Sequence, residues 1–407
     1  MRPFDGRTIL LGVTGGIASY KSAWLARLLT KAGTKVDAVL TRSATEFVGA
    51  ITFEALTGRP VHTGTGFFDP GRALEHIHLA KAADAIVVAP ATADFLARAA
   101  TGQADDLLTA VLLATDAPTL LVPAMNDRMW AHPQTQRNVV HLREIGYQVL
   151  NPDAGMLAAG EGEGPGRMPE PEAIFAHVGR LLERSGSSAL AGRKVVVTAG
   201  PTREAIDPVR FISNHSSGKM GVALASAAWR RGADVSLIAG PLSVPAPHGP
   251  DLRQVQTTEQ MADAVGELVS AADVLIMAAA PADFRPSKPA TSKIKKGQNA
   301  PAPTLEMEQT TDILRATLAR RRTSAIIVGF ALETEDAVAN GKQKLSDKSL
   351  DLIVVNDATE AGAGFGGDTN RVTLIDREGA EEVLPLLSKT DVADAILDRV
   401  ERLANGR

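Results

Sequence analysis

Three groups of residues in this chain have the types and the spacing to do chemistry. The first is Asn214-His215-Ser216-Ser217-Gly218-Lys219-Met220, a polar run that enters a helical pattern. A helix entrance of this composition turns unpaired backbone N–H groups and a positive dipole end toward a phosphate. It is not a Walker loop, because Ser213 stands where the first glycine belongs and Met220 where serine or threonine belongs. The second group is Gly15-Gly16, which closes an apolar strand pattern ahead of another helix. It suits either an anion-binding turn or a tight packing turn, and its spacing departs from G-x-G-x-x-G. The third is the basic run Lys293-Ile294-Lys295-Lys296 inside the Pro- and Gly-rich stretch 285–303. Loops of that length in compact domains are functional or disordered.

Two further residue types narrow the chemistry. His76 and His78 lie two apart, a spacing that suits metal ligands on a strand but sends the rings to different faces of a helix, so no metal site is expected there. Cysteine is absent, which removes disulfides, thiolate metal sites and a cysteine nucleophile, and fits the reducing cytoplasm.

The scaffold that must hold these groups is legible in the periodicities. Residues 7–13 read as a buried strand, a helical stretch follows with Trp24, Leu25, Leu28 and Leu29 at helical spacing, Gly33 closes it, and 35–40 resume a strand. This is the β-loop-α-β unit that joins parallel strands. The same grammar restarts with a strand over 193–200, a helix over 220–231 and a strand over 234–239. Ala82-Ala83-Asp84 with Ala93-Asp94-Phe95 is echoed by Ala271-Ala272-Asp273 with Ala282-Asp283-Phe284, ten residues from Asp to Asp in both. Either a common helix-to-strand joint or shared ancestry produces such an echo. Two open α/β sheets are implied, and the polar stretch 183–192 has linker composition. We place the boundary at residue 188, giving domains 1–188 and 189–407. Stretches 240–250 and 362–370 are further Gly-rich loops. The runs Thr41-Arg42-Ser43-Ala44 and Ala89-Pro90-Ala91-Thr92 follow apolar strands, and the carboxyl ends of parallel strands are where open sheets bind ligands.

Composition bounds the rest. At 407 residues the chain has room for about 2.7 domains of ordinary size. Apolar residues make up 44% and aromatic residues 4%, so the cores are aliphatic, as suits helices on parallel strands. A net charge of -4 leaves no footprint for nucleic acid in general. No stretch reaches the ~18 apolar residues of a membrane helix, so a cytoplasmic protein without a membrane partner is expected.

The set Gly15-Gly16-Ile17-Ala18, His76-Ile77-His78-Leu79, Pro90-Ala91-Thr92-Ala93-Asp94, Ala104-Asp105-Asp106-Leu107-Leu108 and Pro123-Ala124-Met125-Asn126 resembles the flavin-dependent phosphopantothenoylcysteine decarboxylases over about residues 7–180. The resemblance implies FMN in a flavodoxin-like domain that forms trimers, with the flavin near subunit interfaces. It implies that Gly15, Ser19, Thr41, Ser43 and Thr92 lie on or near FMN, that His76 is catalytic, and that Asn126 binds the substrate carboxylate. A carboxylate beta to a thiol loses CO2 poorly, whereas oxidation of the thiol to a thioaldehyde creates an acceptor for the electrons left behind. One departure stands out. The proton-donating cysteine of that family falls at Ala159, in Leu157-Ala158-Ala159-Gly160, with one inserted residue before Gly164-Pro165-Gly166-Arg167-Met168. Another acid or water must then protonate the enethiol, and completed turnover is expected because the rest of the pattern is intact.

In the second half, the run from Asp207 to Gly221, Ala280-Pro281-Ala282-Asp283-Phe284-Arg285, the Lys293 run and Val328-Gly329-Phe330-Ala331-Leu332-Glu333-Thr334 resemble phosphopantothenate-cysteine ligases over about 191–400. The resemblance implies that CTP with Mg2+ activates phosphopantothenate as an acyl-cytidylate, which the cysteine amine then attacks. It implies that Asn214 and Arg210 hold the acyl-cytidylate and that Lys293 is a mobile catalytic lysine. Met277, Ala278, Ala279, Asp283, Phe330, Lys344 and Lys348, with Thr311, Asp312, Ile313 and Leu314, would line the CTP site. The metal ligands are not named.

Together the halves resemble the bacterial bifunctional coenzyme A biosynthesis family: two Rossmann-like α/β domains, a flavodoxin-like FMN-binding one and a CTP-binding ligase. Trimeric decarboxylase and dimeric ligase contacts on one chain would build a homo-oligomer of twelve. Two other readings stay open, a ligase whose first half is only a flavin-binding scaffold and a nonenzymatic regulatory flavoprotein. The polar helix entrance and the basic run argue against the last, because regulation needs no complete nucleotide site.

Overall fold

Residues 2–63, 74–184, 188–295, 304–333, 336–357 and 367–406 are described by a computed structural model of the chain. Of the stretches singled out above, Lys296 with the rest of 296–303, Thr334, residues 185–187 and residues 362–366 lie outside the described residues. Internal contacts divide the chain into two units, Met1–Gly186 and Ser187–Arg407.

The first unit begins β1 (Thr8–Val13), α1 (Ser19–Lys31), β2 (Lys35–Leu40), α2 (Ala50–Thr57), β3 (His62–Thr63), α3 (Glu75–Ala82), β4 (Ala85–Ala91) and α4 (Ala93–Thr101). It continues α5 (Leu107–Ala114), β5 (Thr119–Pro123), α6 (Asp127–Ala131), α7 (Pro133–Glu144), β6 (Gln148–Val149), the hairpin β7 (Asp153–Met156) and β8 (Glu163–Arg167), and α8 (Pro171–Arg184). Six strands run parallel in the order β3-β2-β1-β4-β5-β6. Both faces of such a sheet are covered by helices, which is why β4 is apolar and buried along its whole length. On one face Leu25, Leu29, Ile174 and Val178 pack from α1 and α8. On the other, Phe95, Leu96, Leu107 and Val139 pack from α4, α5 and α7. The chain reverses direction of winding between β1 and β4, which opens a crevice at their carboxyl ends.

The second unit contains β9 (Lys194–Ala199), β10 (Arg203–Ala205), β11 (Phe211–Ser213), α9 (Lys219–Arg230), β12 (Asp234–Ala239), β13 (Asp251–Gln254), α10 (Thr258–Leu268), β14 (Val274–Met277), β15 (Phe284–Pro286) and β16 (Met307–Gln309). Then come α11 (Ile313–Thr317), β17 (Ile326–Glu333), α12 (Ala337–Asp347), β18 (Leu352–Asp357), β19 (Thr369–Asn370), β20 (Val372–Asp376), β21 (Glu381–Val383), β22 (Leu387–Ser388) and α13 (Lys389–Asn405). Its sheet runs β13-β12-β9-β14-β17-β18-β20-β21, parallel up to β18 and antiparallel beyond. Winding reverses between β9 and β14.

The echoed aspartates have a physical reason. Asp84 accepts the Thr8 N–H at 2.8 Å while its own N–H donates to the Thr8 carbonyl at 2.8 Å. Asp273 makes the same clasp on Lys194, accepting at 2.9 Å and donating at 2.8 Å. Each therefore fastens the amino end of the first strand of its sheet. Burial raises the Asp84 carboxyl, but the Thr8 N–H and Arg7 outweigh it and hold the group below its usual value.

Buried charge fixes α13 against α9. Asp394, 3% exposed, accepts from Arg230 at 2.8 Å and from Arg231 at 3.2 Å, and both arginines are themselves buried. Removing one partner from such a cluster leaves uncompensated charge in a low dielectric. Asp394→Ala is expected to destabilise the second unit by about 3–5 kcal/mol, read as a drop in its denaturation midpoint. An unchanged midpoint would show the cluster to be energetically idle.

Candidate functional site

At the crevice of the first unit lies a cavity of about 380 Å³, walled by Gly15 and Gly16 after β1, Thr92 after β4, Asn126 after β5, and Met156, Leu157, Ala158 and Arg167 of the β7–β8 hairpin. Gly15 is required by contact: a Cβ there would stand 2.5 Å from Ser43 Cβ and 2.8 Å from the Ser43 carbonyl carbon. Likewise a Cβ at Gly166 would meet the Met125 carbonyl oxygen at 2.2 Å. Thr14 ties the two central turns together, donating to the Pro90 carbonyl at 2.8 Å and accepting the Thr92 N–H at 3.1 Å. Thr92 in turn caps α4 by accepting the Phe95 N–H at 3.2 Å.

The residues expected near a flavin are divided. Gly15, Thr92 and Asn126 line the main cavity. Thr41 and Ser43 line a neighbouring recess of about 330 Å³ with Arg42, Glu46, Arg98 and Asp106. Ser19 lines neither; fully buried, it donates to the carbonyls of Gly16 at 2.6 Å and Thr14 at 3.0 Å and so shapes the glycine turn. His76 is half-buried on α3 and His78 is exposed, as the helical spacing requires, and neither lines these two volumes. The neighbouring Glu75 carboxylate pairs with His62 Nδ1 at 2.7 Å. Asp105 and Asp106 are bound to Arg98 at 2.9 and 2.7 Å, and Asp106 caps α5, so this acidic pair braces the recess. Sequence reasoning missed Lys21, which is 6% exposed, lines the main cavity, and donates to the Met168 carbonyl at 2.8 Å and to Glu170 at 3.1 Å.

The second unit has two adjoining cavities at its own crevice. One, of about 380 Å³, gathers Met277, Ala279, Asp283, Thr311, Asp312, Ile313, Leu314, Phe330, Lys344 and Lys348 from β14, α11, β17, α12 and the segments beside them. Lys348 Nζ stands 3.4 Å from Asp312, whose carboxylate also caps α11. The other, of about 340 Å³, is walled by Asn214, the 216–221 helix entrance, Ala278 and Ala280, with Asn356, Asn370 and Lys389. Ala279, Asp283 and Phe330 line both and form the divider. Asn214 Nδ2 donates to the carbonyls of Ala280 and Pro281, each at 3.0 Å, pinning the turn after β14. Gly218 sits at a φ of 79°, and a Cβ at Gly221 would stand 2.5 Å from Ala199 Cβ, so both glycines let α9 start hard against β9.

Arg210 and Lys293 line neither cavity. Arg210 donates to Asp207 at 2.6 and 3.0 Å and to the Ile294 carbonyl at 2.6 Å, while the Ile294 N–H donates to Asp207 at 3.1 Å. The Asp207–Arg210 pair thus fastens the chain one residue beyond the exposed Lys293. Burial works against the Asp207 charge, yet Arg210 and the backbone N–H groups of Val209, Ile294 and Arg210 hold its carboxyl far below the usual range. Asn370 and Lys389 had no motif to announce them.

Residues 2–183 match the family model described as Flavoprotein, and residues 190–403 match that described as DNA/pantothenate metabolism flavoprotein C-terminal domain. By fold and by family the chain is a two-domain flavoprotein of the α/β class. "Coenzyme A biosynthesis bifunctional protein CoaBC" of Mycobacterium tuberculosis (strain ATCC 25618 / H37Rv) is 48% identical over 406 residues, spanning 97% of this chain and 96% of the relative. The protein of the same name from Bacillus subtilis (strain 168) is 44% identical over 401 residues, 98% of both chains. A crystal structure of the C-terminal domain of such a protein is 37% identical, covering 54% of this chain and 100% of that one, with a TM-score of 0.46. The chain belongs to the family of coenzyme A biosynthesis bifunctional proteins. Among the described residues no helix is long and apolar enough to cross a membrane.

Proposed function

We propose that the second unit joins phosphopantothenate to cysteine with CTP, and that the first unit decarboxylates the product to phosphopantetheine. The observation that carries the reading is the gathering of Met277, Ala279, Asp283, Thr311 to Leu314, Phe330, Lys344 and Lys348 around one cavity of about 380 Å³. Apolar surface from Met277, Ala279, Ile313, Leu314 and Phe330, mixed with the polar Thr311, Asp312, Lys344 and Lys348, suits a base and ribose. The adjoining cavity at the α9 entrance, lined by Asn214, suits anionic ligand groups, and Asp283 stands where the two meet. Ligation then runs in two displacements: the substrate carboxylate attacks the α-phosphorus and pyrophosphate leaves, and the cysteine amine attacks the acyl carbon and CMP leaves. Mg2+ would enter on the triphosphate, with Asp283 the carboxylate at the divider. Lys293, on the segment fastened by Asp207 and Arg210, is the residue we assign to close over the reacting groups and exclude water.

In the first unit the glycine-cleared wall, the hydroxyls of Thr41, Ser43 and Thr92, and the α1 entrance fit FMN. Bound FMN supplies the two-electron oxidation of the substrate thiol that makes loss of CO2 feasible. Asn126 orients the carboxylate, and His76 is the catalytic histidine, brought to the substrate where subunits meet. The exposed Ile17 before α1, Tyr20 and Trp24 in α1, Phe47 before α2 and Ile51 in α2 support such an assembly through the first unit, a trimer. Exposed Val209, Phe211, Phe284 and Met307 support dimer contacts through the second, giving twelve chains in all. We place the protein in the cytoplasm, in keeping with its lack of cysteine.

Mass spectrometry of one incubation with phosphopantothenate, cysteine, CTP and Mg2+ tests the reading. Phosphopantetheine is the expected product, which would also mean that Ala159 does not stop the final reduction. Accumulated phosphopantothenoylcysteine would leave a ligase beside a silent flavin unit, and unchanged reactants would overturn both halves.

A further inference from the structure

The cavity entered by α9 carries positive charge from two lysines. Lys219 is the first residue of α9 and Lys389 the first residue of α13, and both line this cavity. The amino end of a helix carries about half a unit of positive charge and disfavours a cation. Here helices of 12 and 17 residues each put an ammonium at that end, facing one volume. Burial first, and the Lys219 charge second, push the Lys389 ammonium below the usual lysine range against the pull of Asp368.

The carboxylate that meets the two lysines is Asp368, which accepts from Lys219 Nζ at 2.6 Å although its side chain is 90% exposed. The Lys389 backbone N–H donates to the Asp368 carbonyl at 3.0 Å, so the same residue touches both helix starts. Asp368 itself stands outside the cavity lining, where the acidic side chain among the described residues is Asp283, at the divider. A second observation is independent of the helix ends. Asn370 is 2% exposed and lines the cavity, its Nδ2 donates to Asn356 at 3.2 Å, and its Oδ1 has no hydrogen-bond partner among the described residues. Amide orientation within such a pair is interchangeable, so the buried group can offer either a donor or an acceptor to a ligand.

We propose that Lys219 and Lys389 bind the β- and γ-phosphates of the nucleotide and then the departing pyrophosphate, and that Asp368 holds their place until the nucleotide displaces it. The proposal rests on CTP being the activating nucleotide. As the substrate carboxylate oxygen bonds to the α-phosphorus, the bond from that phosphorus to the β-bridging oxygen breaks and its electron pair leaves with pyrophosphate. Charge accumulates where the two ammoniums stand, and preorganised cations at that point favour the transition state.

Inhibition of CTP-dependent ligation by inorganic pyrophosphate, measured on the full chain, tests this. Lys389→Met is expected to weaken that inhibition and to raise the KM for CTP, each by about tenfold or more. Lys389→Arg is expected to restore most of both. Asp368→Asn is expected to tighten pyrophosphate inhibition, because the competing carboxylate is gone, an effect that a purely structural role would not produce. Wild-type pyrophosphate inhibition in Lys389→Met, or weaker inhibition in Asp368→Asn, would overturn the proposal. If Lys389→Met does not fold, Asp368→Asn and Lys389→Arg still decide it. A wild-type chain that forms no phosphopantothenoylcysteine with CTP would instead overturn the nucleotide reading beneath it.

Discussion

Replacing Asn214 with alanine is expected to slow ligation by at least about 100-fold, the usual effect of losing one well-placed donor, while CO2 release from supplied phosphopantothenoylcysteine continues at the wild-type rate. Asn214 does two things at once. Its Nδ2 holds the Ala280 and Pro281 carbonyls at 3.0 Å, and it lines the cavity that begins at α9. Alanine would leave both carbonyls without that donor and let the turn after β14 relax, moving Ala279 and Asp283, which line both cavities. Substrate and nucleotide would then bind in the wrong mutual geometry, so kcat should fall more than KM rises. Ligation within about threefold of wild type would be too small a loss for a donor at the reacting centre and would remove Asn214 from the site.

Gly15→Ala should have the opposite selectivity: a colourless protein that ligates and does not decarboxylate. The added methyl would stand 2.5 Å from Ser43 Cβ and 2.8 Å from the Ser43 carbonyl carbon. Because the second contact is backbone, no rotamer change of Ser43 relieves it, and the turns after β1 and β2 must separate. Overpacking of this kind costs about 1–3 kcal/mol, which the unit can absorb as a fold. The cradle cannot absorb it, since Gly15 lines the main cavity and Ser43 the recess beside it. Flavin absorbance per chain, CO2 release and CTP-dependent ligation would be measured on one preparation. Wild-type flavin content with wild-type CO2 release would sink the assignment of this turn to the cofactor.

The parts legible in the sequence are those set by local periodicity. The strand read over 7–13 is β1 (Thr8–Val13), the one read over 234–239 is β12, and the helix read over 220–231 is α9, shifted by one residue. Apolar runs and glycine turns announce such elements because each is fixed by neighbours a few residues away. Less legible were the antiparallel strands β20 and β21, whose pairing depends on partners elsewhere in the sheet. The same limit governed the sites. Asn214, Gly15 and Phe330 sit in motifs, whereas Lys219 meets Asp368, which also touches Lys389, only after the chain has folded back across 149 residues. Ser19 was expected on or near FMN from its place in the motif, whereas its hydroxyl donates to the Thr14 and Gly16 carbonyls, a use that residue type and position alone do not specify.

The two aspartate clasps have a practical meaning for anyone altering this protein. Asp84 and Asp273 fasten the amino ends of β1 and β9, whereas the cavities open at the carboxyl ends of the same sheets. Rigidity and turnover are thus governed at opposite edges of each sheet. Thermal hardening could be pursued at the clasp edge, through substitutions around Arg7, Lys194 and Arg322, which donates to Asp273 at 2.7 Å, with little call on the residues that hold ligands. Selection for a new substrate could in turn work on the far edge while the clasps keep each sheet in register.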